Sequence, residues 1–209
     1  MARRRSPGSV PHARFELAGV RWLPREIPDT PGQVLVRANE VLAGHWRILG
    51  RGAIPLGFPP RWNRNPDNGA LLPMSYGRTM SFLDPAESGD IKYLWEPNRH
   101  LELVCLAQAW QITNDARYLD AIGTALDSWF VQCPYPLGPN WSSPLEAGIR
   151  LVNWATVWQL IGGLQSPLFA HPVGKVLRTD WLNSIWRHAE FIRSDLSRRA
   201  SANNHLIGE

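Results

Sequence analysis

Asn203, Asn204 and His205 stand consecutively at the end of a long apolar-patterned stretch, followed by Leu206, Ile207, Gly208 and the carboxylate of Glu209. Two amides and an imidazole would each need a partner if buried. They serve better as N–H donors turned toward an anion, although a helix cap or polar turn is the plainer use of the same residues. Two further clusters combine the same chemistry: Glu96, Asn98, Arg99 and His100, then Asn140, Trp141, Glu146 and Arg150. All three fall near expected helix N-termini. If inner helices of a ring share a direction, those N-termini gather around one cleft. The cleft would then hold amides, imidazoles, two arginines, a tryptophan and positive dipole ends, a setting suited to an anionic sugar. The alternative use is local: Glu146 with Arg150 as an i,i+4 pair, and Glu96 with Arg99 on one turn.

The bulk composition permits such a site. A chain of 209 residues, 44% hydrophobic and 19% charged, is globular and large enough for a sizeable core. No apolar stretch is long enough to cross a bilayer, so membrane insertion is not expected. The Arg3-Arg4-Arg5 run is short and lacks interleaved aromatics, which argues against nucleic acid as a partner. Cys105 and Cys133 support neither a disulfide framework nor a metal site, and no cofactor is expected; buried thiols are the default. The net charge is +4, and only Lys92 and Lys175 among the 22 basic residues are lysines. Arginine pairs with carboxylate or sulfate through two parallel bonds, but a biased base composition would give the same count. The eleven tryptophans either fill the core or stack on sugar faces.

Positioning these residues falls to helices. Residues 1–32 read as an extended or disordered arm, broken by Pro7, Pro11, Pro24, Pro28 and Pro31. A helix is expected from about Val34 to Leu49, with Val34, Leu35, Ala38, Val41, Leu42 and Trp46 on one face. Residues 50–90 read as a long ordered loop carrying Arg61-Trp62-Asn63-Arg64-Asn65-Pro66-Asp67, and loops of that length are often functional. Pro97 suits the first turn of the next helix. That helix has apolar residues on more than one side, as a helix between neighbours does. Another helix follows to about Val131. Ser143-Pro144-Leu145-Glu146 reads as a capping box opening a helix to about Leu160. A last long helix spans about Val173 to Leu196, with Leu177, Trp181, Ile185, Trp186, Ala189 and Ile192 recurring. No stretch alternates convincingly, so the chain is all-α, its paired helices pointing to an α-solenoid or an α/α toroid.

Three motifs in order carry a resemblance: Asp90-Ile91-Lys92-Tyr93-Leu94-Trp95-Glu96-Pro97-Asn98-Arg99-His100, then Asn140 to Arg150, then Asn203-Asn204-His205. Over roughly residues 33–209 the chain resembles the heparinase II/III-like polysaccharide lyases, which include heparin-sulfate and oligo-alginate lyases. The resemblance implies an incomplete N-terminal α/α toroid over 33–209 and a β-sandwich beyond it. It also implies an anionic polysaccharide as substrate and a periplasmic or cell-envelope setting, though no export signal is visible. In such lyases the substrate's uronate carboxylate is neutralised by an Asn or His of the Asn-Asn-His motif. Carried over, these are Asn204 and His205 as catalytic residues, with Asn203 beside them. Glu96, Asn98, Arg99, His100, Trp141, Glu146 and Arg150 would bind substrate, Trp141 and Arg99 at a cleft rim. The proton-transferring tyrosine and second histidine of the family follow that motif. None of Tyr76, Tyr93, Tyr118 and Tyr135 matches, so the chain alone is expected to lack lyase activity.

Two other functions share the architecture. A glycoside hydrolase would need two carboxyl groups about 5–9.5 Å apart, and only Glu96 and Glu146 are candidates. A non-catalytic glycan-binding domain would use the tryptophans and arginines without chemistry.

Overall fold

The computed structural model describes residues 30–80, 88–194 and 196. Helix α1 spans Pro31–Leu42 and opens with a capping box: the Thr30 hydroxyl accepts from the Gln33 N–H, and the Gln33 side chain accepts from the Thr30 N–H. Val34, Ala38 and Val41 form its buried face, as expected from their spacing. The helix stops short of Leu49 because Gly44 takes a left-handed conformation, φ 81°, and packs on Gly57, where a Cβ would lie 2.9 Å from the Gly57 Cα. The chain reverses into strand β1, His45–Arg47, which pairs antiparallel with β2, Ala53–Pro55, Trp46 facing Ile54. Trp46 is thus buried from a strand rather than a helix.

Helix α2, Ile91–Asn98, is capped by Asp90, whose carboxylate accepts from the Lys92 N–H at 3.0 Å. Pro97 lies in its last turn, not in the first turn of the next helix. After Arg99, His100 takes φ 62° and turns the chain directly into α3, Leu101–Thr113. Helix α3 is buried nearly all round and packs on α1, on α4 (Ala116–Gln132) and on α5 (Pro144–Leu160). Asn114 and Asp115 join α3 to α4 in a tight helical hairpin, Asn114 in a left-handed conformation and Asp115 capping the Arg117 N–H.

Ser143 stands at the N-cap of α5 without a side-chain bond, so the expected capping box is not formed; Glu146 is engaged elsewhere. Helix α6, Pro172–Ser194, packs on α5 and α4. Its buried face runs through Leu177, Trp181, Ser184, His188 and Phe191, and Trp186, expected inside, is exposed. Among the described residues, six α-helices and two short strands make a mostly helical partial α/α toroid with α3 at its centre.

Candidate functional site

Six tryptophans, Trp46, Trp62, Trp129, Trp141, Trp154 and Trp181, are fully buried. With His100 and His188 they form a continuous run of ring contacts across the interior. These tryptophans build the core, and their buried rings present no face for a sugar to stack on.

The motif residues lie within and against this run. Arg99, at the junction of α2 and α3, forks onto Glu146 of α5, Nε to Oε2 at 2.7 Å and Nη2 to Oε1 at 2.9 Å. Its Nη1 donates to Glu96 at 2.6 Å. The Glu146 bond, with the charges of Glu146 and Glu96, holds the Arg99 guanidinium above its ordinary pKa against the cost of burial. The expected Glu96–Arg99 pair is therefore present, but the expected Glu146–Arg150 pair is replaced by one across helices. The Arg99 carbonyl accepts from Asn153, which ties the junction to α5 a second time.

Arg150 is wholly buried. It donates through Nε to the Asn98 carbonyl at 2.6 Å and through Nη1 to His188 Nε2 at 2.8 Å, with the Trp129 ring 4.6 Å from the guanidinium carbon. Burial lowers its pKa to about 10, so it remains a cation at neutral pH. His188 Nδ1 sits 2.7 Å from the Ser184 carbonyl, which fixes the proton on Nδ1 and leaves Nε2 to accept from Arg150. Burial, then the Arg150 charge, pushes the His188 pKa well below its ordinary value. His100 is neutral for the same two reasons, and its Nδ1 accepts from the Trp154 indole at 2.7 Å. The Asn98 side chain spans the centre: it donates to the Trp62 and Leu94 carbonyls and accepts from the Trp129 indole. Asn140 donates to Asn63 and to the Cys133 sulfur, whose thiol burial pushes up to about 12 and renders inert.

Three corrections follow for the expected substrate contacts. Asn98, His100 and Arg150 are 0% exposed and Trp141 is 1% exposed, so none is a surface available to a polysaccharide. Trp141 is not on a cleft rim, because its indole donates to the Cys133 carbonyl and its ring packs on Tyr135, His188 and Phe191. Glu146 has both oxygens on Arg99, leaving neither to carry a proton toward a glycosidic bond. Of the described substrate-contact candidates, only Glu96 and Arg99 reach solvent, Arg99 with 27% of its side chain exposed and three of its five N–H donors committed. Asn203, Asn204 and His205 lie outside the described residues.

Sequence reasoning missed His188 and Asn63. His188 stands four residues from Ser184 and seven from Trp181, on a face whose other members are apolar or small, and that spacing could have flagged it. Asn63 belongs to the long loop singled out by its length. Its amide donates to the Gln132 carbonyl at 2.6 Å, pinning the loop to the end of α4. No group of metal-ligating side chains occurs among the described residues, nor does any helix there have the length and apolarity to cross a membrane.

The fold and the polar network together define a mostly helical, partial toroid in which two of the motifs, around Arg99 and around Glu146, meet. The crystal structure of a heparan sulfate lyase HepC mutant from Pedobacter heparinus is similar in fold. It has a TM-score of 0.65 and 17% sequence identity over 88% of this chain and 25% of that one. The chain thus spans about a quarter of the length of that lyase. No protein-family model matches the sequence, and no curated protein matches it.

Proposed function

We propose that the protein is the toroid part of a polysaccharide lyase that cleaves uronic-acid-containing glycans, of the heparan sulfate or alginate kind, by β-elimination. The likeness in backbone to a heparan sulfate lyase over 88% of this chain carries the reading. The closure of two of its motifs on one another, Arg99 onto Glu146 across 47 positions, supports it.

The chemistry assigns distinct tasks. A base removes the C5 proton of the uronate, the electron pair forms the C4–C5 double bond, and the C4–O bond breaks with the leaving sugar taking a proton. The C5 proton is weakly acidic while the neighbouring carboxylate is fully charged. Asn204 and His205, with Asn203 beside them, would donate to that carboxylate as negative charge builds, each donor worth about 3–4 kcal/mol in a dry site. The Arg99–Glu146–Glu96 and Asn98–Arg150–His188 connections do not touch substrate in this scheme. They set α2, α3, α5 and α6 against one another, so that the cleft is rigid when the donors act.

The test is incubation of the protein, with any polypeptide its gene encodes beyond Glu209, on heparan sulfate, alginate and hyaluronate. Unsaturated, ultraviolet-absorbing uronate ends should appear on at least one polymer and vanish with His205→Ala. Saturated ends would mean a hydrolase, and binding without cleavage a non-catalytic domain; either would overturn the reading.

A further inference from the structure

A shallow groove of about 280 Å³ lies between the end of β2, the 60–69 loop and the last turn of α2. Pro55, Pro60, Pro66 and Pro97 supply rigid apolar walls, and among the described residues Arg61 and Arg64 are the charged ones that line it. Both arginines are exposed, and among the described residues neither forms an ion pair, whereas Arg47, Arg51, Arg99, Arg117 and Arg193 all do. The two sit on one turn, closed by the Arg64 N–H donating to the Arg61 carbonyl at 2.9 Å.

The two acids that adjoin the prolines Pro66 and Pro97 do not neutralise them. Asp67 is held by Arg51 at 2.6 Å, and Glu96, beside Pro97, is held by Arg99 at 2.6 Å. The loop is also fixed before any ligand arrives. Trp62 N–H donates to Gln132, Asn63 to the Gln132 carbonyl, and Asn65 to the Ser88 and Asp90 carbonyls. Two unpaired guanidinium forks on a rigid turn over an apolar floor make a site for carboxylate or sulfate groups.

We propose that this groove is a subsite for an acidic oligosaccharide, Arg61 and Arg64 pairing with carboxylates or sulfates on its sugars. That the anion belongs to a glycan rests on the lyase reading; the anion preference itself does not. A nucleic acid is the poorer fit, because Trp62, the one aromatic residue among the described lining, has its ring buried and offers no face for a base to stack on.

The experiment is calorimetric titration of the protein, at fixed ionic strength, with a sulfated heparin oligosaccharide, a carboxylate-only alginate oligosaccharide, inorganic sulfate, a neutral dextran oligosaccharide and a single-stranded oligonucleotide. The variants are the double substitution Arg61→Gln with Arg64→Gln and, as control, Arg187→Gln, an exposed arginine of α6. At least one acidic oligosaccharide should bind, more tightly than sulfate or dextran. The double variant should weaken it by about tenfold or more and flatten its salt dependence, while Arg187→Gln leaves it unchanged. Unaltered near-ultraviolet dichroism would confirm that the exposed substitutions leave the fold intact. Equal binding by the double variant, equal loss in the control, or equal or tighter binding of the oligonucleotide would overturn the proposal. Binding lost in the double variant from a protein that never yields unsaturated ends would sustain the groove and sink the lyase reading alone.

Discussion

Arg150 shows how a residue type that suggests anion binding can serve the interior instead. Its fork is spent on the Asn98 carbonyl and on His188, with the Trp129 ring against it. Arg150→Met should therefore cost about 3–5 kcal/mol in urea unfolding, since it orphans two buried acceptors as well as removing a cation. Trp141→Ala should cost about as much by leaving a cavity, and a loss below 1 kcal/mol would contradict its place in the core. Titration gives a sharper test. His100 and His188 have folded pKa values well below the ordinary one, so as pH falls through about 6.5 the unfolded chain takes up protons that the folded one refuses, and stability is lost. Glu102 works in the opposite sense. Burial raises its pKa to about 7, so its ionisation is disfavoured in the fold, and stability falls as pH rises from its unfolded value of 4.5 to about 7. Glu102→Gln should stabilise the protein at pH 8 by up to about 3 kcal/mol and change little at pH 4, as read from unfolding free energies across that range.

At the scale of elements, helix periodicity marked α1, α3, α4, α5 and α6 and most of their ends. It failed where single residues outweigh a pattern. Apolar spacing continued through Trp46, yet Gly44 ends α1, because its left-handed backbone and its approach to Gly57 exclude any side chain. Gly44→Ala should lower stability by about 2 kcal/mol or more, strained both by φ and by the clash; a neutral effect would show the turn to be pliable. Pro97 carries no directional signal of its own, and the strained His100, held by its bond to Trp154, decides where α2 gives way to α3. On α6 the apolar spacing placed Trp186 inside, whereas the buried positions are taken by Ser184 and His188. A polar residue that completes a network is hidden from hydrophobic patterning. Ser143 and Glu146 have the sequence of a capping box, but Arg99 takes the Glu146 carboxylate, and no local motif could reveal a partner 47 residues away.

For the whole molecule, the helical toroid was legible because paired amphipathic helices with a doubly buried centre admit few arrangements, and the backbone likeness to a heparan sulfate lyase agrees with it. The site was legible only in part. Motif order located residues that meet in space, yet it gave no depth, so Asn98, His100, Trp141 and Arg150 were expected at a cleft and are found in the core. Asn203, Asn204 and His205 lie outside the described residues, and the clamp they would form stands as a proposal. The most direct test of that proposal is the mass of the oligosaccharides released from heparan sulfate or alginate by the protein with all that its gene encodes. β-Elimination predicts internal and reducing-end products one water lighter than the corresponding hydrolysis fragments, lost with His205→Ala and kept with Arg187→Gln. Internal fragments that carry the added water would contradict the account, as would lighter ones still formed by His205→Ala at the unaltered rate.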